Sequence, residues 1–317
     1  MPVSAAAPVL HTIVVLTYNR KDVLAELLLQ LQRISRPDVE VVVVDNCSTD
    51  GTEEFVKASF PNFTLVRLPI NMGAVGRNRG MAIARGSHVI TIDDDILGLD
   101  VTALEAIASM FAVDSRLGAV CFRVIDHYSG LVCNWCHPRD PQLHGETSFE
   151  TNEITEGAVA FRREVLDQVG LYPDEFFISH EGADLAARII DRGYEIRYTP
   201  QVTVSHKYAQ NARPGWRRYY YDTRNDFWLA IRNYSPLFIM LHLVRRLPAT
   251  FIYAVRDGFL HYWVKAVGDA LLHLPEMMKQ RRPISREAHL KLRLLNKEKP
   301  GLGFYLKKRL FAKRVKI

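Results

Sequence analysis

The stretch HVITIDDDILG, residues His88–Gly98, is a short apolar run that ends in three consecutive aspartates. Short runs of β-branched residues are typical of a buried strand. Three adjacent carboxylates repel one another, and their removal from water costs free energy unless a cation or hydrogen-bond donors compensate. The stretch therefore predicts a buried strand whose end, at residues 93–95, binds a divalent metal ion.

Strand-like and helix-like segments alternate over the first hundred residues. The strand candidates are 12–17, 39–45, 63–68 and 89–92, and the helix candidates between them lie near 23–31, 52–59 and 78–84. This repeated order indicates an α/β fold, a mainly parallel sheet with helices on both faces. Such sheets bind their ligands beyond the carboxyl ends of the strands.

Polar residues follow each of these four strands. The four groups are Thr17-Tyr18-Asn19-Arg20, Asp45-Asn46, Asn71-Met72-Gly73 and Asp93-Asp94-Asp95. Because parallel strands end at one edge of a sheet, we expect these groups to form one polar rim. Solvated turns are the alternative, since Asn, Asp and Gly are common turn formers and the residues after the second strand can cap a helix. Three carboxylates in a row favour a ligand site.

Two other nucleotide-using classes share part of this pattern. A dinucleotide-binding oxidoreductase has G-x-G-x-x-G after its first strand, but here that strand leads into TYNR, and the glycines of GAVGRNRG at 73–80 have the wrong spacing. A nucleotidyltransferase also pairs carboxylates with a metal, yet it normally has a glycine-rich, basic signature near the first strand. Both signatures are missing, which disfavours these classes.

Six motifs occur in order between about Ile13 and His206. They are VVLTYNR, VVVVDNCSTDGT, NMGAVGRNRGMAIARG, ITIDDDI, GAVAFRREVLDQVGLYPDEFFISHEGADLAARIIDRGYEI and VTVSHK. In these motifs the chain resembles the family 2 glycosyltransferases of the GT-A fold, which join a sugar from a nucleotide-sugar donor to an acceptor with inversion. The resemblance implies a GT-A catalytic domain over 1–212, with a nucleotide-sugar half at about 10–100 and an acceptor half at about 101–212.

The resemblance also implies roles for the residues of the rim. Asp95 would be the main ligand of Mn²⁺ or Mg²⁺, Asp93 a metal or nucleotide contact, and His206 a third ligand. These ions take hard oxygen ligands, and imidazole suits Mn²⁺. Asp94 would orient the loop. The expected nucleotide-sugar contacts are Thr17, Tyr18, Asn19, Arg20, Asp45, Asn71, Gly73, Arg77, Asp93 and Asp94.

The catalytic base is expected in FFISHEGADLAAR. Family members usually carry E-D-x-D here, whereas this chain has Glu181, then Gly182 in place of the second acid, then Asp184. A helix over about 181–192 places the two acids on one face at i,i+3 spacing. The resemblance makes Glu181 the base beside the acceptor hydroxyl. Asp184 is a second catalytic candidate, or it complements the helix dipole and pairs with Arg188.

The segment 124–153 fits no regular pattern, and by its position we expect it to shape the acceptor site. Trp135 suits a sugar face or packs in the core. Cys133, Cys136 and His137 form CNWCH, which matches a c-type haem attachment of an exported protein or half of a zinc site. Reduced thiols are favoured, because MPVSAAAPVL at the start lacks the regions of a secretory signal.

The composition changes after the VTVSHK motif. The segment 213–236 is aromatic and basic, and 237–275 is apolar but interrupted by charges, so that no uninterrupted stretch reaches spanning length. This favours a C-terminal helical extension over 213–317 that lies in a membrane interface. A subdomain packed on the catalytic core, or a homo-oligomer interface, is the alternative. The terminal KEKPGLGFYLKKRLFAKRVKI favours anionic lipid or a lipid-linked acceptor.

A formal charge of +6 and a pI near 9.1 suit an anionic partner. Together with these features, the family resemblance implies a metal-dependent inverting glycosyltransferase, which we expect to be cytoplasmic and peripheral on the inner face of the cell membrane. It would move a sugar from a UDP- or dTDP-sugar to a glycan or lipid-linked acceptor in envelope polysaccharide synthesis. Rhamnosyl and galactofuranosyl transferases share its short-tailed layout. A degenerate scaffold of the same fold is an alternative, whereas nucleic-acid binding is not predicted, because no recognised module is present.

Overall fold

The structure is a computed structural model that describes residues 8–207 and 215–298 of the 317-residue chain. Within these ranges, nine strands form one sheet: β1 (His11–Thr17), β2 (Val39–Asp45), β3 (Thr64–Arg67), β4 (His88–Asp93), β5 (Ile96–Leu97), β6 (Leu117–Asp126), β7 (Phe149–Thr151), β8 (Ala158–Arg162) and β9 (Glu195–His206).

The helices in the same ranges flank this sheet and continue beyond it. They are α1 (Lys21–Gln32), α2 (Thr52–Ser59), α3 (Asn78–Ile83), α4 (Val101–Val113), α5 (Pro141–His144), α6 (Arg163–Val169), α7 (Glu181–Asp191), α8 (Trp216–Asn233), α9 (Pro236–Asp257), α10 (Leu260–Leu272), α11 (Leu274–Lys279) and α12 (Arg286–Leu295). Two 3₁₀ helices span Gly73–Arg77 and Asp174–Phe176.

The sheet has the strand order β3-β2-β1-β4-β8-β6-β9-β5, and β7 pairs with β9. The first four of these strands are parallel neighbours, which confirms the alternation of strand and helix seen in the sequence. The second half is mixed, because β8 runs antiparallel to β4 and β6 while β9 is parallel to β6. The beginning of β8 therefore lies at the edge where β4 ends.

Both faces of the sheet are buried, and successive residues of β1 show how. Val14 belongs to one apolar cluster with side chains of α6, α7 and α8, while Ile13 and Val15 belong to another with side chains of α1 and α4. Burial on both faces explains the valine run 41–44 in β2. Each fully buried aliphatic side chain contributes about 1.5–3 kcal/mol to stability. This packing fixes the strand ends that carry the rim.

The C-terminal helices are attached to the catalytic half through α7. Trp228 and Ile231 of α8 are buried in the same cluster as Ile189 of α7, and α12 also contacts α7. These contacts favour the packed-subdomain alternative for this part of the extension. Residues 213–214, and all of the terminal basic segment after Glu298, lie outside the described residues.

Helix α9 differs, since many of its apolar side chains are exposed. It has 22 residues, and only 17% of its most apolar 18-residue segment is buried. By length and composition α9 is able to cross a membrane. Its apolar sequence is interrupted by Arg245 and Arg246, the two charged side chains within residues 236–255, so no uninterrupted apolar stretch reaches spanning length, as expected.

The segment 124–153 contains the end of β6, the short helix α5 and β7. Trp135 lies in an aromatic cluster, with its ring centroid 5.0 Å from those of His137 and Tyr198. The side chain therefore packs as the core alternative predicts. Burial raises the pKa of the Cys136 thiol, and none of the four cysteines, all of which are described, forms a disulfide. No group of metal-ligating side chains in the described ranges supports a zinc site.

Candidate active site

The aspartates after β4 lie beside Arg20, which precedes α1. Asp94 is buried, accepts a hydrogen bond from Thr17 Oγ1 at 2.8 Å and pairs with Arg20 Nη1 at 2.9 Å. Burial raises the pKa of Asp94 to about 7, although Arg20 opposes the shift. The contacts of Asp94 tie the ends of β1 and β4 together and hold the arginine against the rim.

Asp95 meets His206 because β5 runs back along β9. Ile96 of β5 pairs with His206, and His206 Nε2 lies 3.2 Å from Asp95 Oδ2. Arg20 contacts the same carboxylate. Although burial opposes the shift, hydrogen bonds from His206 and Arg20 lower the pKa of Asp95. The Nδ2 atom of Asn134 lies 2.9 Å from His206 Nδ1, which holds the imidazole in this orientation.

Asp93, the last residue of β4, turns away toward Arg77 of the 3₁₀ helix. Arg77 Nη2 lies 2.7 Å from Asp93 Oδ1, and Arg77 Nη1 is buried without a hydrogen-bond partner among the described residues. Gly157, just before β8, lies so close to the carboxylate that any Cβ there would collide with it. A glycine is thus needed for Asp93 to fit at the end of its strand.

Two of the three expected metal ligands come together. Asp95 and His206 present a carboxylate oxygen and an imidazole nitrogen side by side, a donor set that fits Mn²⁺ or Mg²⁺. Asp93 does not join them, because it is paired with Arg77. Accordingly, no three His, Cys, Asp or Glu side chains converge on one point within residues 8–207 and 215–298.

Asp45 ends β2 and is fully buried at the nucleotide side of the rim. It accepts hydrogen bonds from the Ser48 N–H and from Arg67 Nη1, both at 2.9 Å. Arg67 was not among the sequence candidates, although it closes β3 directly opposite Asp45 in the register. The N–H of Asn19 donates to Ser48 Oγ at 2.9 Å, and Tyr18 beside it is 43% exposed. The expected base-binding residues are therefore neighbours.

Asn71 and Gly73 shape the part of the rim that reaches the loop before α7. Asn46 Nδ2 donates to Asn71 Oδ1 at 3.0 Å and to the carbonyl of Gly73 at 2.9 Å. Gly73 has a φ of +68°, and a Cβ there would collide with the carbonyl oxygen of Phe177. The N–H of Ala74 donates to that oxygen at 2.6 Å. The nucleotide half thus touches the segment that leads to the expected base.

The loop before α7 has a strained backbone that α8 holds in place. Phe177, Ser179 and His180 have φ values of 63°, 79° and 64°, which cost free energy in residues other than glycine. Nδ2 of Asn225 in α8 lies 2.8 Å from three carbonyl oxygens of the segment 176–179. These contacts stabilise the loop and fix the position from which α7 begins.

Glu181 is the first residue of α7 and is 2% exposed. Its Oε2 atom has no hydrogen-bond partner in the described part of the chain. Burial raises the pKa of Glu181. A buried carboxyl group with a raised pKa and an open acceptor atom has the properties of a general base.

Asp184, one turn further along α7, is also fully buried but is fully engaged. Arg188 Nε donates to Oδ1 at 2.9 Å, while Arg232 Nε and Asn233 Nδ2 donate to Oδ2 at 2.9 and 2.6 Å. Although burial opposes the shift, these partners lower the pKa of Asp184. Asp184 thus joins α7 to α8, as the ion-pair alternative predicts, and offers no open oxygen to an acceptor.

Glu156 is a residue of this site that sequence reasoning missed. Its Oε1 accepts a hydrogen bond from the N–H of Gly182 at 3.0 Å. Burial and the charge of Glu181 raise the pKa of Glu156 to about 8. The only signal in the sequence is an acid before the strand AVAF, and the antiparallel insertion of β8 that brings it to the rim is not visible there.

A model of the family described as "Glycosyl transferase family 2" matches residues 12–170. The chain is 27% identical over 202 residues to the O-antigen chain rhamnosyltransferase WbaN of Salmonella anatum, covering 60% of this chain and 63% of that protein. It is 23% identical over 227 residues to the O-antigen chain rhamnosyltransferase RfbN of Salmonella typhimurium, covering 66% and 70%. The chain thus spans less than two thirds of WbaN.

Solved structures share the fold. The mannosyltransferase PcManGT from Pyrobaculum calidifontis, in complex with GDP-Man and Mn²⁺, has a TM-score of 0.54 at 22% identity and covers 96% of this chain and 90% of that one. TarS 1–349 of S. aureus, in complex with UDP-GlcNAc, has a TM-score of 0.58 at 19% identity and covers 91% and 90%. The expected GT-A fold is confirmed. Since the family match extends over half of the chain, the protein belongs to glycosyl transferase family 2.

Proposed function

We propose that the protein is an inverting glycosyltransferase that moves a sugar from a nucleoside-diphosphate sugar to a hydroxyl group of an envelope glycan or a lipid-linked acceptor. The observation that carries this proposal is the position of Glu181. Its buried carboxyl group, with one unpartnered oxygen, lies at the rim that also holds the pair formed by Asp95 and His206. A base and a site for an anionic leaving group are the two parts that such a transfer needs.

On the donor side, Asp95 and His206 would hold a divalent ion, and Asp93 would join them on release from Arg77. When bound, Mn²⁺ or Mg²⁺ neutralises charge that develops on the diphosphate leaving group. Arg20 lies against the same carboxylates and is a second source of positive charge for the phosphates. The exposed Tyr18 offers a ring for stacking on the nucleobase.

On the acceptor side, Glu181 takes the proton of the attacking hydroxyl. The acceptor oxygen forms a bond to the anomeric carbon from the face opposite the diphosphate, the bond to the phosphate oxygen breaks, and the nucleoside diphosphate leaves with the bonding electrons. A raised pKa makes the ionised Glu181 a stronger base. Asp184 serves this step indirectly, by fixing α7 on α8.

The choice of donor is supported by the names of similar proteins only. WbaN and RfbN are named as rhamnosyltransferases of O-antigen chains, and TarS was solved with UDP-GlcNAc. We therefore propose a dTDP- or UDP-sugar donor and a role in envelope polysaccharide synthesis. The division into a catalytic domain at 1–212 and an extension at 213–317 is part of this proposal.

The class and the donor base are tested together by thermal shift with UDP, dTDP, GDP, CMP and NAD, each with and without Mn²⁺. We expect one pyrimidine nucleoside diphosphate to stabilise the full chain only with the metal, because a ligand that binds the folded state raises its stability. Stabilisation by NAD alone would contradict the proposal. Nucleotide binding without release of nucleoside diphosphate from its sugar would favour the degenerate scaffold.

The exposed side of α9 supports a place on the inner face of the cell membrane. Leu237, Met240, Leu241 and Val244 are each about half exposed or more, and Arg245 follows them. Such an apolar face flanked by basic residues binds anionic lipid surfaces. We expect the full chain to sediment with phosphatidylglycerol vesicles, and the double variant Leu241→Ser, Val244→Ser to sediment less.

The matched control for this experiment is Leu29→Ser, which changes an equally exposed leucine on α1. Equal sedimentation of the α9 variant and the control would contradict a lipid-binding role for α9. Absence of sedimentation of the unaltered chain would favour the packed subdomain as the whole explanation of the extension.

A further inference from the structure

The space above Gly182 is occupied by another residue's carboxyl group. An added Cβ at position 182 would lie 2.5 Å from Glu156 Oε1 and 3.0 Å from its Cδ. The first distance is shorter than real Cβ contacts and the second is at their lower limit, so a side chain at 182 would require the carboxyl group of Glu156 to move. The acid that the E-D-x-D pattern lacks at this position is replaced in space by an acid from another element.

The backbone of Glu156 is fixed at the rim by its neighbours. Ala158, at the start of β8, pairs with Ile92 of β4, and Thr91 Oγ1 donates to the carbonyl of Glu156 at 3.0 Å. Its side chain then reaches the N–H of Gly182 at the first turn of α7. Glu156 therefore connects the end of the central sheet to the helix that carries Glu181.

Two carboxyl groups thus meet at the acceptor side. Glu181 is buried with one oxygen unpartnered, whereas Glu156 is partly exposed and hydrogen-bonded through Oε1. Arg77 is the nearest positive charge, and the charges of both glutamates act on it. A structural role alone would be served better by an amide, which keeps the hydrogen bond and avoids the repulsion between two acids.

We propose that Glu156 is a positioning residue for Glu181: it supplies, from the turn before β8, the second carboxyl group of the acceptor site in the space that Gly182 leaves open. This inference rests on the proposed role of Glu181 as the base. It goes beyond that role, because it assigns the second acid to the turn before β8 and predicts that positions 156 and 182 are exchangeable as a pair.

The first test measures release of nucleoside diphosphate by the full chain, from whichever UDP- or dTDP-sugar binds in the thermal-shift panel. Glu156→Gln keeps the hydrogen bond to Gly182 and replaces the ionisable carboxyl group with an amide. We expect kcat to fall about 10-fold or more with the donor KM unchanged, and Glu156→Asp to recover part of the loss. A kcat of Glu156→Gln equal to that of the unaltered chain would overturn the inference.

The second test moves the acid. Gly182→Asp alone should be nearly inactive, because its side chain collides with Glu156. Glu156→Ala combined with Gly182→Asp should release nucleoside diphosphate at least about 10-fold faster than either single variant, since the pair restores one acid in the same space. A double variant no faster than the better single variant would contradict the exchange.

A stability measurement covers the case in which single variants fold poorly. Gly182→Ala should lower the melting temperature of the unaltered chain but not of the Glu156→Ala chain, because only the former has a carboxylate in the way. Equal losses in both backgrounds would contradict the coupling. A chain that releases no nucleoside diphosphate in any form would contradict the proposed function itself, which separates the two failures.

Discussion

The proposed donor side and the proposed acceptor side of the rim differ in how their carboxyl groups are paired. On the donor side every rim aspartate has an arginine partner, the pairs being Asp45 with Arg67, Asp93 with Arg77, and Asp94 and Asp95 with Arg20. On the acceptor side, Glu156 and Glu181 form no ion pair with a described residue, and the pKa values of both are raised.

This difference corresponds to two kinds of chemistry. Carboxylates held by arginines are fixed in place, and the arginines themselves are ready to meet phosphates, which suits a large anionic ligand. Carboxyl groups that have raised pKa values and no ion-pair partner suit proton exchange. In the proposed function, the rim separates ion binding from proton transfer along a single sheet edge.

The largest expected effect comes from removing proton acceptance on the acceptor side. Glu181→Gln keeps the size of the side chain but not its basicity, so we expect kcat to fall by about 10²–10⁴ while nucleotide affinity is kept. Release of nucleoside diphosphate at saturating donor and acceptor measures kcat, and thermal shift measures nucleotide affinity. Glu164→Gln, an exposed change on α6, is the control. Full activity of the Glu181 variant would break the comparison.

A change on the donor side should give the reverse pattern. Asp95→Asn removes the charge shared by Arg20 and His206, and we expect Mn²⁺-dependent nucleotide stabilisation to disappear and turnover to fall about 100-fold, without unfolding. The exposed Asp22→Asn on α1 is the matched control. Unchanged metal-dependent binding in a folded Asp95 variant would mean that the two sides do not divide the chemistry in this way.

Asp184→Asn separates support of the base from catalysis. The change weakens the buried ion pairs with Arg188 and Arg232, and breaking such a pair costs about 3–5 kcal/mol. We expect a lower free energy of unfolding in urea, with nucleotide affinity kept at temperatures where the variant is folded. Asp167→Asn on the exposed side of α6 should change neither. A stable but inactive Asp184 variant would instead make Asp184 a second catalytic acid.

The smallest expected effect is a pH dependence of stability. The pKa of Glu156 is about 8 in the fold, above its ordinary value of 4.5, so the folded chain keeps a proton that the unfolded chain releases between these two pH values. The unaltered chain should therefore lose stability relative to Glu156→Gln as pH rises from about 4.5 to 8. The difference in melting temperature between the two chains, followed over this range, should widen. A constant difference would contradict the raised pKa.

The sequence predicted the donor side better than the acceptor side, for a physical reason. Asp45 and the aspartates 93–95 follow apolar strands of a parallel sheet, so strand order alone brings them to one edge. Arg67 could have been predicted in the same way, since it ends the strand next to Asp45. Glu156 could not have been predicted from the sequence, because its position depends on the antiparallel course of β8. That course results from packing and not from a local sequence pattern.

The C-terminal helices show a similar limit. The composition predicted helices there, but which of them pack on the catalytic half depends on single contacts such as Asp184 with Arg232, 48 residues apart. The charged residues in 237–275 interrupt the apolar sequence, yet within α9 they are too few to prevent a long apolar helix. A pattern of charges locates such a helix without saying which of its faces is covered.

The contacts of Asn225 with the loop 176–179 determine where domains of such enzymes can be exchanged to make chimeras. The loop before Glu181, the proposed base, is held in place by a side chain that belongs to α8, beyond the sheet. A chimera that joins this sheet to the helices of a relative at residue 212 would lose Asn225 and its contacts with the loop. The exchange point has to follow Asn233, so that the segment transferred as one unit includes α8 as well as the GT-A sheet.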